Sequence, residues 1–218
     1  MESSTNADGS DTRHWLEQAA AGDAKGWQVL VTRYHARLRR MVALRLDARL
    51  HGRVDPSDVL QDAYLEATEH LSEYLRNPVL PFFLWLRMLA GTRLAKTHRR
   101  HLGAQLRDAG REVSLYRGAM PEASSAALAA RLLGKECRPS EIAVRAEMKL
   151  RLQEALNQME PLDREVLALR HFEQLTNAET ARVLELSEGT ASKRYVRALR
   201  KLKEILASRP GGSGEWQP

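Results

Sequence analysis

The chain has 218 residues, 43% of them hydrophobic, 6% aromatic and 28% charged, and a formal net charge of +6. That profile is soluble and globular and favours small helical cores over sheet sandwiches. Its longest apolar run, Pro78 to Leu86, is far short of the ~20 residues of a membrane span, and residues 1–10 hold no apolar signal core. A cytoplasmic protein without membrane insertion is expected, and the single cysteine, Cys137, allows neither an internal disulfide nor a zinc knuckle and reads as a spectator thiol.

Residues 1–11 read as a disordered tail. From 12 to 102, apolar positions such as Trp15, Trp27, Leu30, Val31, Tyr34, Leu38, Met41 and Val42 recur at helical spacing and predict a packed helical domain. Within it Asp55, Asp58, Asp62, Glu66, Glu69 and Glu73 are spaced 3, 4, 4, 3 and 4 in a stretch without Lys or Arg, so they share one helix face, with Val59, Ala63, Tyr64 and Leu71 towards the core. Like charges at that spacing repel by ~0.2–0.5 kcal/mol per pair, so a basic partner surface explains them; an ordinary solvated face is the alternative, for Glu69 and Glu73 above all. Pro78 and Pro81 force a loop after Tyr74, and a helix opens at Phe82-Phe83-Leu84-Trp85-Leu86. Core is the bland alternative for Phe83, Trp85 and Leu86, and it is adopted for Trp85. From Arg87 to Arg107 there are six basic residues and no acid. Aromatics beside a basic run suit extruded single-stranded bases, through stacking and phosphate contacts.

Between 103 and 139 the glycines and prolines predict a linker, with one short helix allowed in the Ser/Ala stretch from Ala123 to Ala130. A second helical domain spans 140–207, with Ser140 a candidate N-cap, and 208–218 is a Gly/Pro-rich flexible tail. Inside that domain Thr176-Asn177-Ala178-Glu179 is a capping box, and Ser187 caps a second helix after a short turn at Glu185-Leu186. Ala191, Tyr195, Ala198, Leu202 and Ile205 form its buried stripe. Lys193, Arg194, Arg197, Arg200 and Lys201 fall outside that stripe, and no acid occurs between Gly189 and Lys203. A helix-turn-helix of this kind can place its second helix in the major groove. A solvated Lys/Arg-rich helix is the bland alternative, but such faces usually mix Glu with Lys. The blocks Arg87–Arg107 and Lys193–Lys203 carry six positive charges each against a net +6, so the remainder of the chain is net −6.

Leu162-Asp163-Arg164-Glu165-Val166 followed by 176–206 resembles region four of bacterial sigma-70-family transcription initiation factors, with Ser187 to Arg194 as the matching recognition run. Asp55 to Ala67 resembles region two of the same family, and Phe82-x-x-Trp85-Leu86 resembles the signature before its minus-ten-reading helix. The resemblance covers most of 12–206 and lacks a middle domain, so it points to the extracytoplasmic-function (ECF) group; the long Ala/Ser-containing linker is further similar to the planctomycete type. It implies an all-α fold, with two small helical domains joined by a flexible linker, the second a four-helix helix-turn-helix domain. It also implies, residue by residue, minus-thirty-five contacts at Ser187, Glu188, Thr190, Ser192, Lys193, Arg194 and Arg197. Minus-ten and melting contacts are implied at Tyr74, Asn77, Phe82, Arg93, Lys96, Arg99 and Arg100, and core-polymerase contacts at Asp55, Asp58, Gln61, Asp62 and Glu66. The implied partners are core RNA polymerase and promoter DNA, both double-stranded and melted, with room for an anti-sigma protein. No cofactor, metal or enzymatic activity is expected, because the seven histidines form no ligand motif and there is no phosphate-cradling glycine loop. The rival reading is a stand-alone helix-turn-helix regulator binding an operator as a dimer.

Overall fold

The computed structural model describes residues 3–102, 120–133 and 142–208, and among these every regular element is helical. Cys137, Ser140, Arg107, the stretches 103–119 and 134–141 and the tail from 209 lie outside the described residues. The chain divides into two compact units, one of residues 1–42 and 48–120, the other of residues 43–47 and 121–218.

The first unit holds α1 (Ser3–Ala20), most of α2 (Ala24–Arg45), α3 (Pro56–Arg76) and α4 (Phe82–Leu102). Helix α1 starts at Ser3, inside the stretch read as a tail; once its anchored end around Leu16 is formed, each added residue costs little to propagate. The α1–α2 turn uses Gly22 at φ +88°, and Gly26 lies so close to α1 that a Cβ there would meet the backbone of Ala19 and Trp15 at 2.9 Å. Leu30, Tyr34, Leu38, Met41 and Val42 are buried along α2 as the periodicity predicts. Asp55 is the N-cap of α3, its side chain accepting the Ser57 N–H at 2.7 Å, with Pro56 in the first turn. That hydrogen bond holds the Asp55 carboxyl below the usual carboxylate range. Val59, Ala63 and Leu71 face α4, whose Phe82 to Arg87 are all buried.

The second unit contains α5 (Ser125–Leu132), α6 (Ile142–Asn157), α7 (Pro161–Leu167), a π-helical turn (Ala168–Phe172), α8 (Asn177–Leu184) and α9 (Glu188–Ala207). Helix α5 is the short helix allowed by the Ser/Ala stretch; Ser124 caps it, and Leu128 and Ala129 are fully buried against Leu152, Leu156 and Leu167 of the same core. In this unit the Arg45 guanidinium is sealed from solvent, donating to Glu165 at 2.6 and 3.1 Å, to Glu173 and to the Pro121 carbonyl at 2.9 Å. Burial alone would lower its pKa, and the carboxylates of Glu165 and Glu173 more than offset that, so the cation is held above its ordinary value. Glu173 is 1% exposed and closes the π-helical turn through its N–H to the Ala168 carbonyl.

Removing one partner of a buried ion cluster leaves an uncompensated charge, a loss of ~3–5 kcal/mol. Arg45→Met is therefore expected to destabilise the second unit by about that much, and Glu165→Gln by less because Glu165 keeps 16% exposure. Denaturant titrations of the full chain followed by circular dichroism read both values.

Candidate DNA and polymerase interfaces

The helix-turn-helix is built by its caps. Thr176 Oγ1 accepts the Glu179 N–H at 3.1 Å while Glu179 accepts the Thr176 N–H at 2.7 Å, closing the capping box read in the sequence. Helix α8 ends at Glu185 in the left-handed region (φ 55°), with the Leu186 N–H returning to the Ala181 carbonyl at 2.9 Å. Ser187 then caps α9 through the Thr190 N–H at 3.2 Å, and Asn177 Nδ2 donates to the Glu188 carbonyl at 2.9 Å, tying the first turn of α9 to α8.

Along α9, Ala191, Ala198, Leu202 and Ile205 are buried, and Tyr195 is half-buried beneath the Arg170 guanidinium. Ser187, Glu188, Thr190, Ser192, Lys193 and Arg197 are exposed, as are Arg200 and Lys201. Arg194 differs: its Nη1 donates to Asp163 Oδ1 at 2.6 Å and its side chain is 19% exposed. It sits three residues after Ala191 and four before Ala198, at the rim of the buried stripe, so α7 captures it. That position in the repeat was the available signal; Asp163 itself carried none, being one acid among many.

On α3, Asp58, Gln61 and Asp62 are exposed and make no ion pair with a basic residue among the described residues. Glu66 belongs to the same stripe but is drawn inward, forming an ion pair with Arg93 of α4. Three residues after buried Ala63, Glu66 lies where the acidic face meets the packed one. Gln61 also lines a shallow groove of about 320 Å³ between α2 and α3, floored by Trp27, Val31, Tyr64 and Leu65. Leu65 is 60% exposed there. Burial pushes the Tyr64 hydroxyl up from its ordinary range, and it contacts His35 Nδ1 at 3.3 Å.

The loop before α4 carries a correction. Phe82 is 4% exposed and enclosed by the rings of Trp27, Tyr34, Tyr74 and Trp85, so it is a core residue with no face left for a DNA base. As the first residue of α4 it marks the point where the helix turns its apolar side inward. Trp85 is buried as read, and Phe83, Leu86, Arg87 and His98 are buried with it. Tyr74 stacks on Trp85 at 4.5 Å and donates its hydroxyl to the Leu80 carbonyl at 2.9 Å. Asn77, Lys96, Arg99 and Arg100 are exposed. Among the described residues no group of three or more His, Cys, Asp or Glu could hold a metal, and no helix is long and apolar enough to cross a membrane.

Residues 149–202, from α6 through most of α9, match the family model for sigma-70, region 4. Over this stretch the chain is similar to sigma-70-family factors, and its relatives include proteins named as ECF sigma factors. Over 58 residues, 27% of this chain, it is 43% identical to the RNA polymerase sigma-E factor of Streptomyces avermitilis, and that match spans about a third (32%) of the relative's length. Over 194 residues, 88% of this chain and 83% of the relative, it is 27% identical to the ECF RNA polymerase sigma factor SigD of Mycobacterium tuberculosis. The solved structure of CnrH in complex with the cytosolic domain of CnrY aligns over 91% of this chain and 98% of that one, with a TM-score of 0.52 and 22% identity, a likeness of fold. The stretch that matches the region 4 model holds the capped helix pair α8–α9 and its α6–α7 support.

Burial, with a smaller contribution from Tyr34, pushes the Tyr74 hydroxyl up to about 12. Its neutral form is favoured in the folded chain, so this stabilisation is full below the ordinary tyrosine value of ~10 and is lost as pH rises to about 12. Melts across that window should show the first unit weakening, with a shallower slope in Tyr74→Phe.

Proposed function

We propose that this chain binds core RNA polymerase, carries it to promoters by reading minus-thirty-five and minus-ten elements, and assists strand opening. The observation that carries the proposal is one chain holding two unlike surfaces. Exposed Asp58 and Asp62, with Gln61 between them, stand on α3 in the first unit, and a basic face with no acid between Gly189 and Lys203 stands on α9 in the second. Among the described residues neither carboxylate forms an ion pair, so a basic partner surface would relieve their repulsion, and the apolar groove beside Gln61 offers that surface an anchoring point. Polymerase is the proposed partner there, with Asp55 and Glu66 contributing more as the α3 cap and an internal strut than as bare charges.

For DNA, Ser187, Glu188, Thr190 and Ser192 stand on the first turns of α9, where a recognition helix meets base edges, and Lys193 and Arg197 stand where a duplex would follow. Lys96, Arg99 and Arg100 form the basic end of α4 and suit a phosphate backbone. Tyr74 and Asn77 flank the loop proposed to act in melting. An anti-sigma protein is a further proposed partner; the fold relative CnrH was solved with the cytosolic domain of CnrY. A stand-alone operator-binding regulator accounts for α8 and α9 but leaves the bare Asp58–Asp62 line without a use.

Replacing Asp58 and Asp62 together by Lys should abolish capture by core RNA polymerase while helix content and melting temperature stay close to wild type, because the exchange relieves no packed contact. Wild-type binding should weaken as salt rises. Retained capture, or an unfolded variant, removes α3 as the docking face. Separately, Tyr74→Ala with Asn77→Ala should reduce permanganate reactivity of the melted promoter region and run-off transcription together; normal footprints and full transcription would assign the loop another role.

A further inference from the structure

We propose that Arg194 is a positioning residue for promoter recognition and does not read a base: through Asp163 it sets the rotation of α9 on α7, and so decides which side chains meet DNA. This rests on the reading of α9 as the promoter-recognition helix and assigns one of its residues a different role.

Asp163 lies in the first turn of α7 and is 6% exposed. Its Oδ1 accepts Arg194 Nη1 at 2.6 Å, and Arg197 Nη2 stands 3.9 Å from the same oxygen. The two arginines are unlike, with Arg194 19% exposed and Arg197 62% exposed. Arg194 Nε is buried and has no hydrogen-bond partner, and Glu160, 77% exposed, lies 3.9 Å from Nη1. Bidentate reading of a guanine takes two parallel N–H groups of one guanidinium. Here Nε faces the protein and Nη1 is held by a carboxylate. Turning Arg194 out to a base would strand the Asp163 charge in a site that excludes most solvent, the costly way to break such a pair. A loose surface pair would contribute little. This one is neither loose nor at the surface, since Asp163 is nearly covered and sits at a helix N-terminus that favours its charge.

The consequence is geometric. Arg194 joins α9 to α7 at the rim of the Ala191–Ala198 stripe, so a small rotation of α9 would carry Lys193 and Arg197 off the outward face together. Arg197 reaches the same Asp163 oxygen only at its Nη2 tip, 3.9 Å away, and most of that side chain stays open.

The test uses holoenzyme assembled from core RNA polymerase and the full chain, with promoters selected from a library randomised at the minus-thirty-five element. Binding is measured at a temperature where circular dichroism shows every variant folded. Arg194→Lys and Asp163→Asn should each weaken binding to the selected promoter about 10- to 100-fold. Both should select the same bases as wild type with the salt slope unchanged, and the double variant should be no worse than either single one. Arg197→Ala should instead lower the salt slope by about one or relax a single base position. Additive losses in the double variant overturn the proposal, as does relaxed choice at one base in Arg194→Lys with Asp163→Asn binding like wild type. Lowered melting temperatures with unchanged promoter affinity also overturn it, leaving a structural pair alone. A wild-type holoenzyme that selects no promoter removes the sigma reading itself, and this inference with it.

Discussion

The near contact of α9 with the helices beneath it, made through Ala191 and Ala198, is the constraint on which the rest of the second unit depends. Both alanines are essentially without solvent exposure, and small side chains at that seam let two helices lie closer than Leu or Met would. With so narrow a buried stripe, most of the circumference of α9 is left outside. That is why the helix can hold Lys193, Arg197, Arg200 and Lys201 in water without desolvating any of them. It also explains the fate of Arg194. A residue at the edge of a narrow seam is either pushed out or given a partner, and Asp163 is within reach.

The first unit solves the opposite problem. Helix α4 is buried along most of its length, so its polar residues must be accommodated inside or at the margin. Arg93 is matched by Glu66 at that margin. Helix α3 therefore has two kinds of acid on one stripe, one matched internally and others, Asp58 and Asp62, exposed and without an ion pair among the described residues. Charge that a fold neutralises for itself and charge that it leaves for something else are told apart only by the neighbouring helix.

That distinction marks how much could be read without coordinates. Periodicity and caps act over four residues, and they identified the helical class, the capping box at Thr176, the break at Glu185 and the buried stripe of α9. The short helix at Ser125–Leu132 followed from its composition. What did not follow were contacts set by tertiary packing. Phe82 begins its helix beside a loop and suggests exposure, yet four aromatic rings, two from α2, one from α3 and one from its own helix, enclose it. Arg45 lies 120 and 128 residues before the carboxylates that neutralise it, and nothing local distinguishes it from the other arginines of its helix. Arg194 was placed on the correct helix and outside the correct stripe, but a side chain at a boundary takes its direction from what lies across it.

The stack of Tyr74 on Trp85 has an optical consequence. An indole covered by a phenol ring in an apolar pocket emits differently from one left beside water, and here the covering ring is fastened to the loop by a single hydrogen bond to Leu80. Any rearrangement that draws residues 77–81 away from α4 must either break that bond or carry the phenol with it. In both cases Trp85 changes its surroundings, so the intrinsic fluorescence of the chain contains a native signal for the state of this loop, with no label attached.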